Sequence, residues 1–370
     1  MKKFFVTRTS MPPMNEYIDK IKTLWTTRRL TNMGEFHKEL ESNLRQFLSI
    51  DHVSLIVNGH TALELAMQSM DLPKGKEIIT TPFTFISTTN AIIRSGYIPV
   101  FCDIKFSNYT IDEEKIESLI NENTVAIVPV HVYGQVCNVQ KIFEIANRYN
   151  LKVIYDAAHA FGVRYKGSGI ATFGDAATFS FHATKVFNTI EGGCVAFSDK
   201  KKKKKLLNLK NFGITSEEIV ECIGTNAKMN EFSAIMGLCN LNHINEYIAK
   251  RKEIVKVYRT LLNDVNGIRI LPENDDVQEN YSYFPILIDE EKFGFNRNYV
   301  YDFLKSKSVY TRKYFYPLTC NHKCIASNYK AYNIPIAQYV SDRILVLPLY
   351  EGLEIESAKY IIGLLKSLIV

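Results

Sequence analysis

The sequence has no apolar run that approaches a membrane span, and its first residues, MKKFFVTRTSMPP, lack the apolar core of a signal peptide. Its seven cysteines have no regular spacing that would indicate a disulfide framework. Cys320 and Cys324 flank His322, but this spacing is too tight for the usual zinc clips, and no second pair of ligands follows. We therefore expect a soluble cytoplasmic protein with reduced thiols, no metal and no membrane partner.

Several motifs that would identify a catalytic chemistry are missing. The chain contains no G-x-G-x-x-G, no G-x-x-x-x-G-K-[ST], no G-x-S-x-G and no H-E-x-x-H. These absences argue, in that order, against a nicotinamide enzyme, a P-loop nucleotide hydrolase, a serine hydrolase of the α/β type and a zinc-dependent hydrolase.

Basic residues are in modest excess, with a net charge of +6, and much of this excess lies in the six consecutive lysines 200–205. One interpretation is a nucleic-acid patch or a localisation signal. The other is a solvated turn that opens a helix, since Asp199 precedes the run and LLNLKNF follows it. No arginine or aromatic residue interrupts the run to bind phosphates or stack on bases. We favour the solvated helix and expect no nucleic-acid partner.

Apolar residues make up 46% of the 370 residues, which is typical of a globular protein. Short apolar segments alternate with helical ones, and the predicted strands are HVSLIV (52–57), EIITT (77–81), YIPVFCDI (97–104), TVAIVPVHVYG (124–134) and LKVIYDAAH (151–159). This alternation predicts an α/β fold with a mostly parallel sheet covered by helices on both faces. After about residue 240 the pattern shifts to mixed strands and helices. We therefore predict a large domain, 1–240, and a smaller α+β C-terminal domain, 241–370.

Polar residues stand where predicted strands end, namely Gly59, Asp156, His159 and Lys185. Lys185 follows the strand-like segment AATFSF, although a buried ammonium is costly unless it is paired. Taken singly, a lysine at a strand end is usually a surface residue. An aspartate there is usually a turn or cap residue, and a histidine is usually half-buried with its hydrogen bonds formed. Together, at the carboxyl ends of parallel strands, they match the needs of pyridoxal phosphate: an amine for its aldehyde, a carboxylate for its ring nitrogen and backbone donors for its phosphate.

Three segments, VIYDAAHAFG, GDAATFSFHATKVFNTIEGG and GTNAKMNEF, resemble the DegT-type nucleotide-sugar aminotransferases. The likeness extends from about Leu30 through VLPLYEGL at 346–353. It implies fold type I, the fold of aspartate aminotransferase, with pyridoxal 5'-phosphate as cofactor. It also implies a homodimer with active sites at the interface.

The resemblance assigns catalytic roles to three residues. Lys185 corresponds to the lysine that binds the cofactor covalently and later carries a proton, and Asp156 to the partner of the ring nitrogen. His159 stands where a side chain contacts the phenolic oxygen, and many relatives have glutamine there. Phe85, in TPFTFIST, corresponds to the aromatic residue that stacks on the ring.

The phosphate is expected to meet the backbone amides of His60 and Thr61 after Gly59, together with the Ser180 hydroxyl. Here the chain departs from the family, which usually has Gly-Thr-x-Ala where this sequence has Gly-His-Thr-Ala. The backbone donors remain, but the sequence leaves open whether His60 contacts the phosphate. Asn226 corresponds to an asparagine that reaches the phosphate of the neighbouring subunit.

The expected reaction transfers an amino group from L-glutamate to a keto-sugar nucleotide. The substrate indicated by the branch of the family is dTDP-4-keto-6-deoxyglucose, giving dTDP-4-amino-4,6-dideoxyglucose. Amination at carbon 3 of a dTDP-3-keto-6-deoxyhexose is the alternative, and a non-catalytic ligand sensor is a further one. The substrate-binding candidates lie in YTRKYFYPLT, and they are Arg312, Lys313, Tyr314 and Tyr316.

Overall fold

A computed structural model describes residues 2–329 and 332–369 of the chain. The α-helices are α1 (Met14–Thr27), α2 (Glu35–Leu48), α3 (Gly59–Gln68), α4 (Ile86–Arg94), α5 (Glu113–Ile116), α6 (Val139–Tyr149), α7 (Lys200–Leu209), α8 (Glu231–Leu262), α9 (Glu290–Phe293), α10 (Arg297–Ser306), α11 (Lys323–Ala326), α12 (Pro335–Arg343) and α13 (Ile355–Lys366). Single 3₁₀ turns lie at Glu117–Leu119, Val132–Gly134, Ile170–Thr172 and Thr319–Asn321. None of these described helices has the length and apolar character that crossing a bilayer requires.

The strands are β1 (Phe4–Phe5), β2 (His52–Ile56), β3 (Glu77–Thr80), β4 (Ile98–Phe101), β5 (Thr124–Val128), β6 (Lys152–Asp156), β7 (Arg164–Tyr165), β8 (Ser168–Gly169), β9 (Ala176–Ser180), β10 (Gly193–Phe197), β11 (Ile214–Ser216), β12 (Ile219–Val220), β13 (Ile268–Ile270), β14 (Val277–Gln278), β15 (Phe284–Ile288), β16 (Val309–Tyr310) and β17 (Ile344–Leu347). Seven of them form the central sheet in the order β2-β10-β9-β6-β5-β3-β4. Only β10 runs antiparallel to its neighbours in this sheet. The predicted mostly parallel α/β sheet is confirmed.

Helices cover the sheet on both faces because successive residues of each strand point to opposite sides. In β6, the side chains of Val153 and Tyr155 join the apolar core that includes Leu40 and Leu44 of α2. Ile154, between them, belongs to the core on the other face, beneath α3 and α7. Strands buried on both faces read as continuous apolar runs in the sequence, which is why the sheet was predictable.

The segment 124–134, predicted as one strand, is a strand only as far as Val128, and the prediction is wrong beyond that residue. Pro129 follows and has no N–H to donate to a neighbouring strand. The chain then turns through Val132–Gly134, where Tyr133 has a positive φ of 58°. This turn brings the Tyr133 backbone towards the carboxyl end of β6.

The C-terminal part contains a three-stranded antiparallel sheet in the order β13-β15-β17, which shares an apolar core with helices α10 and α13. The long helix α8 is continuous across residue 240: its first half packs on the core of the large sheet and its second half on the C-terminal core. β1 pairs in parallel with β16, so the first strand lies with the C-terminal part. The domain limits 1–240 and 241–370 stay a prediction, and their outer ends, residues 1 and 370, lie outside the described residues.

The lysine run forms the start of α7, and the Asp199 side chain accepts a hydrogen bond from the Lys201 N–H at 2.7 Å. An aspartate at this position satisfies one of the free N–H groups that begin a helix. Lys203 and Lys205 form ion pairs with Glu41 and Asp71, respectively. Part of the excess positive charge is therefore neutralised within the chain.

Candidate active site

A cavity of about 390 Å³ lies at the carboxyl end of the central sheet. It is bounded by the first turns of α3 and α4, the ends of β6 and β9, and the segment 312–315 from the C-terminal part. A larger cavity of about 630 Å³ lies beside α8 and β7, away from the predicted catalytic residues. We assign the active site to the smaller cavity because the chemically distinctive side chains converge there.

Lys185 lies in the tight turn after β9, where its backbone N–H donates to the carbonyl oxygen of His182 at 2.9 Å. This turn brings the side chain into the cavity instead of continuing the strand. Burial lowers the pKa of Lys185 to about 8, and the Asp156 carboxylate acts in the opposite direction. A larger fraction of this amine than of an ordinary lysine is therefore neutral, and nucleophilic, near neutral pH.

Asp156 is the last residue of β6 and is buried at the floor of the cavity. The Thr88 hydroxyl donates to its Oδ2 at 2.7 Å, and the N–H of Ala158 donates to its Oδ1 at 3.1 Å. Burial raises the pKa of Asp156, whereas these two hydrogen bonds and Lys185 lower it. The carboxylate is thus held in a fixed orientation in a dry environment. Thr88 was missed by sequence reasoning, since the segment STTN carries only a helical signal.

His159 is buried, and its Nδ1 accepts a hydrogen bond from the Tyr133 backbone N–H at 3.0 Å. Its ring lies nearly parallel to that of Phe315, with 5.8 Å between the centroids and 3° between the planes. Burial lowers the pKa of His159 well below its ordinary value, and the nearby Lys185 acts in the same direction. The ring is therefore neutral, and its proton is on Nε2 because Nδ1 is an acceptor.

A corner of the cavity is built from Gly59 and Ser180. A Cβ placed on Gly59 would lie 2.6 Å from the Cβ of Ser180, so only glycine allows this approach. Among the described residues, neither the Gly59 nor the His60 N–H has a hydrogen-bond partner. The Thr61 N–H, predicted to face a phosphate, instead donates to the capping side chain of Asn58 at 2.8 Å. Two free amides and a serine hydroxyl at a helix start form a suitable phosphate site.

Aromatic side chains form the walls of the cavity. Phe85 lies at its edge and is 57% exposed, so one face of the ring is available for stacking. Tyr283 is a second wall residue: the Lys185 Nζ lies 5.8 Å from its ring centroid. Sequence reasoning missed Tyr283, because nothing in its segment, NYSYFPILID, marks one tyrosine among 21.

The predicted substrate-binding residues divide into two pairs. Arg312 and Tyr314 line the cavity. Lys313 instead donates to the Asn298 side chain at 2.6 Å, and the Tyr316 ring lies 4.6 Å from the Arg297 guanidinium carbon. The structure thus brings two of the four to the site.

Asn226 lies outside the cavity of its own chain, and its Oδ1 accepts a hydrogen bond from Lys228 at 2.7 Å. Its role towards a neighbouring subunit stays a prediction. No cluster of three or more candidate metal ligands occurs among residues 2–329 and 332–369.

The arrangement suits pyridoxal phosphate. The free amides of Gly59 and His60 suit the phosphate, the buried Asp156 carboxylate suits the ring nitrogen, and the Lys185 amine suits the aldehyde. Their residues come from the start of α3, the end of β6 and the turn after β9, while Tyr283 and Arg312 come from the C-terminal part.

Comparison with known proteins agrees with this chemistry. A model of the DegT/DnrJ/EryC1/StrS aminotransferase family matches residues 14–366. The chain is 38% identical to a dTDP-4-amino-4,6-dideoxy-D-glucose transaminase of Shigella dysenteriae over 99% of both chains. It is 43% identical to a protein of the same name from Escherichia coli over 95% of both.

The crystal structure of DesI in the presence of its TDP-sugar product superposes with a TM-score of 0.95 and 28% identity, covering 99% of this chain and 93% of that one. Both the predicted fold type and the predicted family are confirmed. The chain belongs to the DegT/DnrJ/EryC1/StrS aminotransferase family.

Proposed function

We propose that this protein is a pyridoxal-phosphate-dependent aminotransferase that transfers an amino group from L-glutamate to dTDP-4-keto-6-deoxyglucose, giving dTDP-4-amino-4,6-dideoxyglucose. The observation that carries the proposal is that one cavity contains both the Lys185 amine and the buried Asp156 carboxylate. Two relatives named as transaminases of this sugar class match nearly the whole chain.

Four groups would hold the cofactor. Asp156 would accept a hydrogen bond from its protonated ring nitrogen, and the Nε2–H of His159 would donate to its phenolic oxygen. Phe85 would stack on the ring, a contact of about 1 kcal/mol beyond area burial. The amides of Gly59 and His60, with the Ser180 hydroxyl, would bind the phosphate. When bound, the cofactor supplies an electron sink for the carbon that loses a proton.

The chain's own residues then supply positioning and proton transfer. The Lys185 amine would take a proton from the amino donor and return one to the keto carbon of the acceptor. Its lowered pKa, about 8, suits both directions, since neither the neutral nor the protonated form is rare at neutral pH. The fixed Asp156 carboxylate maintains the positive charge on the ring nitrogen, and the neutral His159 donates without adding a second positive charge.

The sugar nucleotide would enter from the side of the C-terminal part. Arg312 is a cation that lines the cavity, and guanidinium groups bind diphosphates well because of their planar set of donors. Tyr314 lies beside it and presents a ring and a hydroxyl to the sugar. The names of the relatives support carbon 4 as the position that is aminated.

We place the enzyme in the cytoplasm as a homodimer, with Asn226 of each subunit completing the phosphate site of the other. All seven cysteines are free thiols, as a reducing compartment favours. The β11–β12 region exposes several apolar side chains, including Ile219, Val220 and Ile223, and a subunit interface would cover such a patch.

The test is a substrate panel. Purified protein, with its visible absorbance recorded, is reduced with borohydride, and the peptide containing Lys185 is examined for the mass of the cofactor. The active protein is then incubated with glutamate and either dTDP-4-keto-6-deoxyglucose or a dTDP-3-keto-6-deoxyhexose, and the products are identified by NMR.

We expect a modified Lys185 peptide and a 4-amino product. A colourless protein without cofactor mass on Lys185 would refute the aminotransferase assignment. Turnover of the 3-keto substrate alone would refute the choice of carbon 4 and leave the aminotransferase assignment intact. A protein that binds the nucleotide but turns over neither substrate would be a sensor.

A further inference from the structure

His60 stands where the family usually has threonine, and both of its ring nitrogens have polar neighbours. Nδ1 lies 2.9 Å from the hydroxyl oxygen of Ser87, in the first turn of α4. Nε2 lies 3.3 Å from Oε1 of Glu64, one turn along α3. The same Oε1 accepts a hydrogen bond from Arg94 at 2.6 Å. The imidazole is therefore held between two helices, and its orientation is fixed.

The chemistry of these neighbours determines what the Ser87 hydroxyl can do. Nε2 faces the Glu64 carboxylate, whereas Nδ1 faces the Ser87 oxygen. With its proton on Nδ1, the His60 ring donates to the Ser87 oxygen, and the hydroxyl hydrogen of Ser87 is directed away from the ring. Ser87 lines the cavity beside Gly59 and His60, so that hydrogen is then available to an anion bound there.

We propose that Ser87 donates a hydrogen bond to the phosphate of the cofactor and that His60 is the positioning residue that orients the Ser87 hydroxyl. The proposal rests on the function proposed above. It accounts for the missing threonine, because a hydroxyl from α4 replaces the one that the family carries on α3.

The experiment compares a ligand with and without the phosphate. Apoprotein of the full chain is titrated with pyridoxal phosphate and with pyridoxal, and the dissociation constants are measured by absorbance and fluorescence. The variants are S87A, H60Q, the double variant S87A/H60Q, and H60T, which restores the residue usual in the family. The control is H243Q, because His243 is also partly buried and paired with a glutamate, Glu16, but lies on α8.

We expect S87A to weaken pyridoxal phosphate binding about tenfold or more, which is typical of one hydrogen bond to a charged group, and to leave pyridoxal binding unchanged. H60Q should weaken pyridoxal phosphate binding by a similar factor, and the double variant should bind this ligand no more weakly than S87A. H60T should recover most of the affinity that H60Q loses. H243Q should resemble the wild type.

Equal losses of affinity for pyridoxal and pyridoxal phosphate in S87A would overturn the proposal. It would also be overturned if the losses of affinity in S87A and H60Q multiplied in the double variant. A loss of dTDP affinity in the S87A holoenzyme with normal cofactor binding would also overturn it, since Ser87 would then serve the nucleotide. If wild-type protein failed to bind pyridoxal phosphate, the proposed function itself would fail, and this result is distinct from all the others.

Discussion

Tyr133 donates its backbone N–H to Nδ1 of His159 at 3.0 Å, and the Tyr133 hydroxyl donates to the carbonyl oxygen of Tyr314. One residue, in a turn with positive φ, therefore sets the tautomer of His159 and holds the segment of the C-terminal part that covers the cavity. The ring of His159 must present Nε2–H to the cavity for as long as this turn persists.

His159 should accordingly be replaceable by glutamine but not by an apolar residue. A glutamine side chain at this position would accept from the Tyr133 N–H with its carbonyl oxygen and donate with its amide, so H159Q should keep kcat within about tenfold of the wild type. H159F leaves a buried N–H without an acceptor, which costs about 1–3 kcal/mol, and removes the donor in the cavity. Thermal unfolding and kcat measure the two effects, and equal activity of both variants would contradict the assigned role.

The lowered pKa of Lys185 predicts how apoprotein reacts with pyridoxal phosphate. Only the neutral amine attacks the aldehyde, so the rate should rise with pH, with a midpoint near 8 instead of near the ordinary lysine value. In D156N the midpoint should fall further, because the carboxylate that favours the ammonium form is gone. Stopped-flow absorbance measures both profiles. A midpoint that rises in D156N would show that the sign of this coupling is wrong.

Replacing Thr88 should affect catalysis through Asp156. T88V removes the hydrogen-bond donor to Oδ2 of Asp156, so the pKa of this carboxyl group should rise further. The carboxyl group would then carry less negative charge opposite the ring nitrogen of the cofactor. We expect kcat to fall about tenfold, with little change in KM for the sugar nucleotide. T88S keeps the hydroxyl and should retain activity. A loss of equal size in T88S would indicate a packing role instead.

Gly59 should tolerate no side chain. In G59A the new Cβ would press on Ser180, which must move, and we expect a loss of about 1–3 kcal/mol in the free energy of unfolding with weaker cofactor binding. The matched control is G363A: the Cβ added in α13 has open space, and alanine favours a helix interior over glycine by about 0.5–1 kcal/mol. Denaturant unfolding of both variants distinguishes a local clash from a general intolerance of alanine.

If Asn226 completes the site of a neighbouring subunit, two defective variants should complement each other. N226A alone should bind the cofactor weakly without unfolding, and K185A should be inactive. A mixed dimer then contains one site with both residues intact and one site with both lost. Random mixing makes about half of the dimers mixed, so about one quarter of wild-type activity should be restored at limiting cofactor. Mixtures no more active than N226A alone would place Asn226 and Lys185 in the same site or remove Asn226 from it.

Much of the site could be predicted because its chemistry depends on short segments. SFHATK and VIYDAAH place Lys185 and Asp156 at strand ends, and strand ends of a parallel sheet meet at one edge. Thr88 and Tyr283 could not be found this way, because their importance depends on contacts across the fold: Thr88 reaches β6 from α4, and Tyr283 approaches Lys185 from the C-terminal part. The orientation of His60 was equally out of reach, because Ser87 lies on a different helix.

The parallel pairing of Phe4 with Val309 and of Phe5 with Tyr310 has a consequence for how the chain is made. A ribosome releases β1 long before β16 exists, so the first strand has no partner while the central sheet assembles. Contacts between such distant positions form late and slowly, since a long loop must close first. The segment that carries Arg312 follows β16 directly, so it reaches its final place only after β1 has found this late partner. The nascent chain therefore acquires the wall of the cavity that contains Arg312 after the central sheet has formed.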